Sequence, residues 1–448
     1  MSRVALISTY EIGRQPFGLA SPAAWLRKDG FNVTSVDCAV QPFPDQLIQQ
    51  VDVAAFYMPM YTAARLSVPL IRRAQKLNPE LIVIAYGLYA PVNEAFFRKL
   101  GVQNIVGAEF EAPLLELCRN IRAGDIVEET VVSLERQQFL TPFRDDLPEP
   151  GNYAALCEEG CAAKTTGYTQ TTRGCLHTCR HCPIVPVYNG AFRVVQKDVV
   201  LADIRQQVVR GAQHITFGDP DFFNGPGHVL PIVKQVHAEF PDITYDVTIK
   251  IEHLLKYEKY LPVLRDTGCA FVTSAVEAVE DSILQIFDKG HTREDFVRTV
   301  EIMDAYQLRL NPTFVTFTPW TTLQGYRSML SLLAELGLIE GVSPVQLAIR
   351  LLIPAGSRLL EVPDIEESLG EFREEQLGYE WQHSDKRVDG LQKALMDLLG
   401  SKNLGRREYF LTAWKMVNAL LKEDIALPES KRSRQRATVP YLNEPWYC

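Results

Sequence analysis

Three cysteines that lie within eight residues are the strongest chemical signal in this chain of 448 residues. Cys175, Cys179 and Cys182 have the spacing CxxxCxxC, with His, Thr and Arg residues between them. Three thiolates in one tight loop can hold three irons of a [4Fe-4S] cubane, and the fourth iron then has no protein ligand. Because that iron is open to a small molecule, the spacing predicts a catalytic cluster.

A structural zinc site is the main alternative for these cysteines. Zinc takes four protein ligands in such sites, and His177 or His181 could supply the fourth. The spacing is nevertheless a poor match to the paired C-x2-C motifs of structural zinc. Three incidental core cysteines are a third interpretation, which the polar residues between them disfavour.

The residues before the cysteines alternate short β-branched runs with amphipathic stretches, which predicts a doubly wound parallel sheet over residues 1–125. We predict strands at 4–8, 33–37, 53–57, 81–85 and 104–106, and helices at 21–29 with a Ser cap, 63–77 and 91–100. Ligands of such sheets bind at the carboxyl ends of the strands, so the loops 10–17, 57–61 and 86–90 are candidate binding loops.

A connector rich in proline and acidic residues, 126–165, predicts a linker. A second alternation follows, with strands expected at 168–172, 214–217, 244–249, 271–276, 312–317 and 346–352. It predicts a partial (β/α)6 barrel over 166–356, with the cysteine loop at the barrel mouth, where active sites of such folds lie. Residues 357–448 predict a small helical C-terminal region, with helices at 391–399 and 407–421 and a flexible tail.

A CxxxCxxC loop directly after the first strand of a six-strand barrel resembles the radical S-adenosylmethionine (SAM) superfamily. The resemblance implies that the open iron chelates the amino and carboxylate groups of SAM. One electron from the cluster then breaks a carbon–sulfur bond, usually giving a 5′-deoxyadenosyl radical that abstracts hydrogen from a substrate. A donor such as flavodoxin or ferredoxin supplies that electron. The expectation is a radical SAM enzyme; the alternative is a non-catalytic Fe–S and SAM-binding redox sensor module.

The resemblance also implies SAM contacts in the barrel. Gly218 and Asp219 match the motif at the end of the second strand, although Gly-Asp-Pro is also an ordinary turn. Ser274 and Glu277 match the end of the fourth strand, where a cluster of acidic residues at the start of a helix is the alternative. Arg350 on the sixth strand could hold a carboxylate or pair with Glu277.

Two further positions are weaker candidates. Lys250, at the end of the third strand, is a cation that could hold a carboxylate, as Arg350 could. His181 stands where the family most often has an aromatic residue, and we expect it near the adenine or in a surface role. Neither position changes the assignment of the three cluster cysteines.

The N-terminal domain resembles the cobalamin-binding domain of cobalamin-dependent radical SAM proteins. The Asp-x-His-x-x-Gly motif of many such domains is absent, and no His precedes His177, so cobalamin stays open. Tyr57, Tyr61, Tyr86 and Tyr89 could line a corrin pocket or pack between domains. If cobalamin binds, methyl transfer is the expected reaction. If it does not, the expected reaction is hydrogen abstraction or a step that changes a carbon–sulfur or carbon–carbon bond.

The remaining cysteines and the tail support hypotheses of their own. Cys157 and Cys161 could ligate a further metal or form a redox pair, or be linker cysteines without a role. The end of the chain, residues 443–448, resembles the start of the tail that names the CUAEP/CCAEP-tail radical SAM (seleno)proteins. A selenocysteine codon read as a stop after Cys448 would explain where this sequence ends.

Composition sets the expected partners and location. The formal net charge of −9 gives no general attraction for nucleic acid or anionic membranes. A signal-peptide pattern and a run of about 18 apolar residues are both absent from the sequence. We therefore expect a cytoplasmic protein with a small-molecule substrate and with no nucleic-acid or membrane partner.

Overall fold

The computed structural model describes residues 3–125, 128–158, 160–401, 404–430 and 441–442. Its N-terminal lobe is a parallel sheet covered by helices on both faces. The strands are β1 (Arg3–Ser8), β2 (Asn32–Asp37), β3 (Val53–Tyr57), β4 (Ile82–Tyr86), β5 (Asn104–Ala108) and β6 (Glu129–Ser133). The helices are α1 (Phe17–Lys28), α2 (Asp45–Ile48), α3 (Tyr61–Leu77), α4 (Tyr89–Val92), α5 (Glu94–Lys99) and α6 (Glu111–Ala123).

The strand order of this sheet is β2-β1-β3-β4-β5-β6, and every pair is parallel. All residues of β3 and β4 are buried, as expected for strands that have helices on both sides. The order reverses between β1 and β3, which opens a crevice at the carboxyl ends of these strands.

The second lobe is a curled half-barrel. Its strands are β7 (Ala155–Cys157), β8 (Lys164–Thr169), β9 (Thr172–Gly174), β10 (Phe192–Val194), β11 (His214–Phe217), β12 (Thr244–Thr248), β13 (Cys269–Glu277) and β14 (Leu310–Phe314). Its helices are α7 (Val185–Tyr188), α8 (Lys197–Val209), α9 (Pro226–Glu239), α10 (Ile251–Lys256), α11 (Leu261–Asp266), α12 (Asp281–Phe287), α13 (Arg293–Ala305) and α14 (Leu323–Glu335).

The C-terminal region adds β15 (Leu369–Arg373), β16 (Gly378–Trp381), α15 (Lys386–Ser401), α16 (Arg406–Leu421) and β17 (Tyr441–Leu442). The half-barrel sheet has the order β14-β13-β12-β11-β8-β7-β17, and its five strands from β8 to β14 are parallel. Strands β9 and β10 form a separate antiparallel hairpin. None of the described helices is long and apolar enough to span a bilayer.

The predicted fold class is confirmed, with local corrections. The sixth barrel strand, predicted at 346–352, is wrong: Pro344–Leu347 is a 3-10 turn, and a single bridge joins Phe317 to Arg350. Pro344 has no N–H for a sheet ladder, so it favours the turn instead. The helix predicted at 91–100 is two shorter helices, and the predicted cap Ser21 lies inside α1, where its hydroxyl donates to Glu111.

The predicted linker is packed against both lobes. Strand β6 lies within it and extends the N-terminal sheet by pairing with β5. The division into 1–125, 126–165, 166–356 and 357–448 stays a prediction. The expected flexible tail falls largely on 431–440 and 443–448, so it and the Cys448 hypothesis lie outside the described residues.

Arg144 in this connector is fully buried and joins three elements. Its guanidinium donates to both carboxylate oxygens of Asp203 in α8, at 2.7 and 2.8 Å. It also donates to the carbonyl O of Tyr168 in β8 at 2.7 Å and to Gln15 in the loop after β1. A buried charge pair of this kind does little for net stability, but losing one partner leaves an uncompensated charge.

Replacing Arg144 by Met should lower the free energy of unfolding by about 3–5 kcal/mol, because Asp203 would stay buried without its partner. Chemical denaturation measures the change. The matched control is Arg205→Met, which removes an exposed pair with Glu239 and should have a much smaller effect. The double variant Arg144→Met/Asp203→Leu should recover part of the loss. If Arg144→Met and Arg205→Met lowered the free energy of unfolding equally, the structural role given to Arg144 would be contradicted.

Candidate active site

The cysteine loop runs from β9 to α7 and is anchored at both ends. Gly174 precedes Cys175 with φ of +73°, and a Cβ there would lie 2.4 Å from the ring of Tyr188, so this turn requires glycine. Asn224 Oδ1 lies 3.8 Å from Cys175 Sγ. The backbone N–H of Arg180 donates to the last carbonyl of α12 at 2.9 Å. The loop is therefore tied to the barrel around the three thiols.

The three thiols form one electrostatic unit. Cys179 is buried, and Cys175 and Cys182 are partly buried. Burial raises the pKa of Cys182 to about 12, the Cys179 and Cys175 charges add to the increase, and Lys289 opposes it. Burial likewise raises the pKa of Cys175, with a contribution from Cys179. Thiols that raise one another's pKa need cations to become thiolates, and iron supplies that charge.

Among the described residues, no compact set of three or more ligand atoms contains all three thiols. A Zn–S bond is about 2.3 Å, so sulfurs that share one zinc lie about 3.8 Å apart. Among the described residues, the compact set whose ligand atoms lie within 4.8 Å of one another is Cys175, His177 and Asp221, which contains one of the three thiols. Thiols outside such a set can each bind a separate iron of a cubane. The residues therefore fit a [4Fe-4S] cluster.

His177 belongs to a polar network behind Cys175. Its Nε2 lies 3.5 Å from Asp221 Oδ2, and its Nδ1 lies 3.0 Å from Lys250 Nζ. His253 Nδ1 approaches the same Asp221 oxygen at 2.7 Å, and the two imidazole rings are 4.6 Å apart. Burial alone would raise the pKa of Asp221, but the two histidines outweigh it and lower the pKa. This network supports the first part of the cysteine loop.

Glu277 organises the other side of the loop. Its Oε1 lies 3.0 Å from His181 Nε2 and 3.4 Å from Lys289 Nζ, and all three side chains are largely buried. Burial opposes the charge of Glu277, yet Lys289 and His181 outweigh it and lower the pKa to about 2. His181 also stacks on Phe287 at 4.6 Å. The surface role expected for His181 is therefore wrong, since contacts fix the ring inside the barrel mouth.

Asp219 fixes the approach to the cysteine loop. It accepts hydrogen bonds from the backbone N–H of Thr171 at 2.9 Å and from the hydroxyls of Thr171 and Thr172. Burial raises the pKa of Asp219 to about 6 despite these bonds. A Cβ on the adjacent Gly218 would lie 2.0 Å from Tyr168 Oη, so only glycine fits. The SAM roles of both residues stay predictions, but the Asp219 carboxylate is committed to the two threonines.

Ser274 and His291 offer buried polar atoms to a ligand. The Ser274 hydroxyl is fully buried, and among the described residues it has no hydrogen-bond partner. Burial and the charges of Lys289 and Lys250 lower the pKa of His291 to about 4, so its ring is neutral at pH 7. Buried polar groups are normally paired, and an open one calls for an explanation such as a ligand. The predicted role of Ser274 is consistent with this position.

Arg350 lies away from this group. Its guanidinium donates to Asp389 in α15 at 2.6 Å and to the carbonyl O of Trp381, and it stacks 3.5 Å above the Trp381 ring. The expected pair with Glu277 is therefore wrong, because Asp389 takes that role. A SAM contact by Arg350 stays a prediction that this geometry does not favour.

The tyrosines at the carboxyl edge of the N-terminal sheet pack against one another. The rings of Tyr57 and Tyr86 are 5.3 Å apart, and both contact Phe110. The Tyr86 hydroxyl donates to the carbonyl O of Gly18 at 2.8 Å. Of the four tyrosines singled out in the sequence, Tyr57 lines a cavity beside the cysteine loop, and Tyr61 lines a larger cavity that also includes Arg350.

The other cysteines lie outside the compact ligand set. Cys161 is exposed and Cys157 is partly buried in strand β7. A metal or redox role for them stays a prediction. Cys118 is buried, as expected for a core residue, whereas Cys38 and Cys269 are partly buried.

Three residues of the site were not among the candidates predicted from the sequence: Lys289, Asp221 and His253. Asp221 follows Asp219 in the same strand-end turn, and His253 follows the Lys250 that was singled out. A search for polar residues just after each barrel strand would have found both. Lys289 follows helix α12, so no strand-end rule points to it.

Comparisons with known proteins identify the region that holds the cysteines. Residues 169–322 match the family model of the radical SAM superfamily. A threonylcarbamoyladenosine tRNA methylthiotransferase, MtaB from Aquifex aeolicus, is 23% identical over 244 residues, which cover 52% of this chain and 55% of that protein. A tRNA-2-methylthio-N(6)-dimethylallyladenosine synthase from Jannaschia sp. is 23% identical, covering 60% of this chain and 57% of that protein. The chain thus spans little more than half the length of these relatives.

Solved structures resemble the chain more extensively. The cobalamin-dependent S-adenosylmethionine radical enzyme OxsB, with aqua-cobalamin bound, has a TM-score of 0.70 at 15% identity, covering 94% of this chain and 72% of OxsB. The radical SAM methyltransferase TsrM from Kitasatospora setae, with cobalamin and a [4Fe-4S] cluster bound, has a TM-score of 0.59 at 15% identity. The match covers 75% of this chain and 71% of TsrM. At this identity the likeness establishes the fold. The chain therefore carries a radical SAM domain, which implies a [4Fe-4S] cluster and SAM, on a fold shared with cobalamin-dependent radical SAM enzymes.

Proposed function

We propose that this protein is a radical SAM enzyme that cleaves SAM reductively to start radical chemistry on a small molecule. The observation that carries the proposal is the partly buried loop of Cys175, Cys179 and Cys182 inside the matched domain, with the charge of Lys289 acting on two of the thiols. When bound there, the cluster would supply the electron that breaks a carbon–sulfur bond of SAM.

The residues around the loop suit the polar parts of SAM. SAM carries an amino group, a carboxylate and paired ribose hydroxyls. Glu277 remains ionised at neutral pH, so it can accept from hydroxyl or ammonium donors. The open hydroxyl of Ser274 can pair with the same ligand. Lys250, 3.0 Å from His177, offers a cation for a carboxylate.

The N-terminal lobe lies beside this site. Burial raises the pKa of Tyr89 in this lobe, and the charge of Cys182 adds to the increase. Tyr188, next to the loop, donates to Glu109 at the end of β5 at 2.9 Å. This contact ties the cysteine-loop region to the carboxyl edge of the N-terminal sheet.

The neighbours OxsB and TsrM bind cobalamin, so a corrinoid has to be considered for this protein as well. The interlobe cavity beside the cysteine loop is about 190 Å³ and is bordered by Tyr57 and Phe110. Sites for drug-sized ligands span about 300–1,000 Å³, and a corrin is larger than such ligands. A second interlobe cavity, lined by Tyr61, Arg350 and Trp381, has about 1290 Å³, which is large enough for such a ligand. Cobalamin stays a prediction, as does methyl transfer.

A tRNA substrate is the second candidate, because the two curated relatives are named for tRNA modification. The net charge of −9 does not favour it, since nucleic-acid binding rests on basic surfaces. A non-catalytic redox sensor is a further alternative. The electron donor and a cytoplasmic location remain expectations.

Anaerobically reconstituted protein should contain about four irons per chain and should form 5′-deoxyadenosine or methylthioadenosine from SAM and dithionite. Cys175→Ala, Cys179→Ala and Cys182→Ala should each lose most of the iron and lower SAM cleavage at least a hundredfold, because each thiol binds one iron. Iron analysis and mass spectrometry of the products measure both. Cobalt content after growth with cobalamin tests the corrinoid in the same samples.

Cys118→Ala is the matched control, since this buried cysteine lies in the N-terminal lobe and should leave iron and SAM cleavage unchanged. Zinc in place of iron, without SAM cleavage, would refute the enzyme proposal. A full iron content without SAM cleavage would favour the sensor. Products that appear only with tRNA would favour the second candidate.

Lys289→Met should make the reduction potential of the cluster more negative. Lys289 is buried beside Cys179 and Cys182, and its charge favours the added electron. For charges about 8 Å apart at an effective dielectric constant of about 20, the effect is about 2 kcal/mol, or about 90 mV. A redox titration followed by electron paramagnetic resonance measures it. Lys289→Arg should keep the potential; an unchanged potential in Lys289→Met would contradict the role.

A further inference from the structure

The cavity of about 190 Å³ lies between the two lobes, beside the cysteine loop. One wall comes from the carboxyl ends of the N-terminal strands, including Glu11, Arg14 and Tyr57. The facing wall comes from the barrel and includes Gly174, which directly precedes Cys175, and Gly218. A ligand here would therefore lie next to the cluster site and at the switch point of the N-terminal sheet.

Glu11 is the unusual residue of this cavity. Its side chain is 4% exposed, and its Oε2 has no hydrogen-bond partner among the described residues. Burial raises the pKa of Glu11 to about 8, although Arg14, Arg144 and Arg173 oppose the shift. A buried carboxyl oxygen without a hydrogen-bond partner destabilises the fold, so its presence in a cavity wall calls for a ligand.

Arg14 supplies an opposite charge to the same cavity. Its Nε is buried and lacks a hydrogen-bond partner among the described residues, while its guanidinium stacks 5.1 Å from the centre of the Tyr168 ring. Its charge lowers the pKa of Glu11, yet neither Arg14 Nε nor Glu11 Oε2 has a hydrogen-bond partner among the described residues. Arg173, the other arginine in the wall, is already paired with Glu111. The cavity thus presents an acid and a cation that do not neutralise each other directly.

The rest of the lining is largely apolar. Leu88, Phe110 and Ile184 border the cavity together with Met60 and the ring of Tyr57. An apolar wall beside two opposite charges suits a molecule with an ammonium, a carboxylate and an apolar side chain. A nucleotide would instead need several donors for its phosphates.

We propose that this cavity binds an α-amino acid, with its carboxylate on Arg14, its ammonium on Glu11 and its side chain against the apolar wall. This inference rests on the proposed function in taking the amino acid as the substrate of the radical enzyme. The ligand's ammonium would pair with the Glu11 carboxylate and so remove the energetic penalty of the buried acid.

The test uses the reconstituted holoenzyme under anaerobic conditions. A thermal-shift screen of the twenty standard L-amino acids is followed by titration calorimetry of each hit. At least one amino acid should bind with a Kd below about 1 mM. For L-phenylalanine as the reference probe of an apolar hit, phenethylamine and 3-phenylpropanoate each lack one charged group, and both should bind at least tenfold more weakly.

Variants assign the site. Glu11→Gln and Arg14→Gln should each weaken binding at least tenfold without lowering the iron content. The matched controls Glu80→Gln and Arg72→Gln remove exposed charges of the same lobe that do not line this cavity, and they should leave Kd unchanged. Circular dichroism spectra that match the unmodified protein establish that the variants fold.

The inference is overturned if none of the twenty amino acids binds, if Glu11→Gln and Arg14→Gln bind as the unmodified protein does, or if hydroxocobalamin binds stoichiometrically and displaces the amino acid. Binding without SAM cleavage would support this site while refuting the proposed enzyme. SAM cleavage without amino-acid binding would refute this inference alone.

Discussion

The buried pairing of Arg173 with Glu111 and Glu109 is the interaction on which the rest of the structure depends. Arg173 lies two residues before Cys175, in β9, and donates to Glu111 Oε2 at 2.8 Å. Burial alone would raise the pKa of Glu111, but Arg173 outweighs it and lowers the pKa. The guanidinium also lies 4.5 Å from the centre of the Phe110 ring. A charge held this way has one acceptable position, because moving it would leave buried carboxylates uncompensated. The pair therefore fixes the carboxyl edge of the N-terminal sheet relative to the cysteine loop.

Further contacts determine where the loop goes from that point. Asp219, at the end of β11, holds Thr171 and Thr172 just before Arg173. Gly174 then turns the chain with a positive φ, which brings Cys175 toward Asn224. The order of these contacts along the chain explains why the strand predicted as one run at 168–172 is divided between β8 and β9. The backbone N–H of Thr171 is bound to the Asp219 carboxylate and is not available to a strand ladder, so the strand is interrupted there.

The sequence predicted the features that depend on local pattern and not those that depend on long-range partners. The buried β-branched runs located β3 and β11 at their observed limits, and the cysteine spacing identified the site. Strand β6 was missed because the run at 129–133 is half-exposed and follows helix α6 without a clear alternation. Arg350 was misplaced because its partner, Asp389, is 39 residues away in a helix that the pattern could not orient. Lys289 was missed for the same reason, since its role depends on Glu277 and the thiols.

The contrast between paired and open polar groups separates structural from ligand-facing roles. Arg144 and Arg173 are as deeply buried as any residue of the site, yet each guanidinium forms an ion pair with a carboxylate. Ser274 in the barrel mouth and Glu11 in the interlobe cavity each keep an open oxygen. Both kinds of group lose hydration on folding, but only the paired kind recovers that energy within the protein. Open groups beside a rigid, fully paired frame are the arrangement that a preorganised site requires, because the frame prevents them from collapsing onto each other. The paired residues at the lobe interface therefore hold two adjoining sites in position, one at the thiols and one at Glu11.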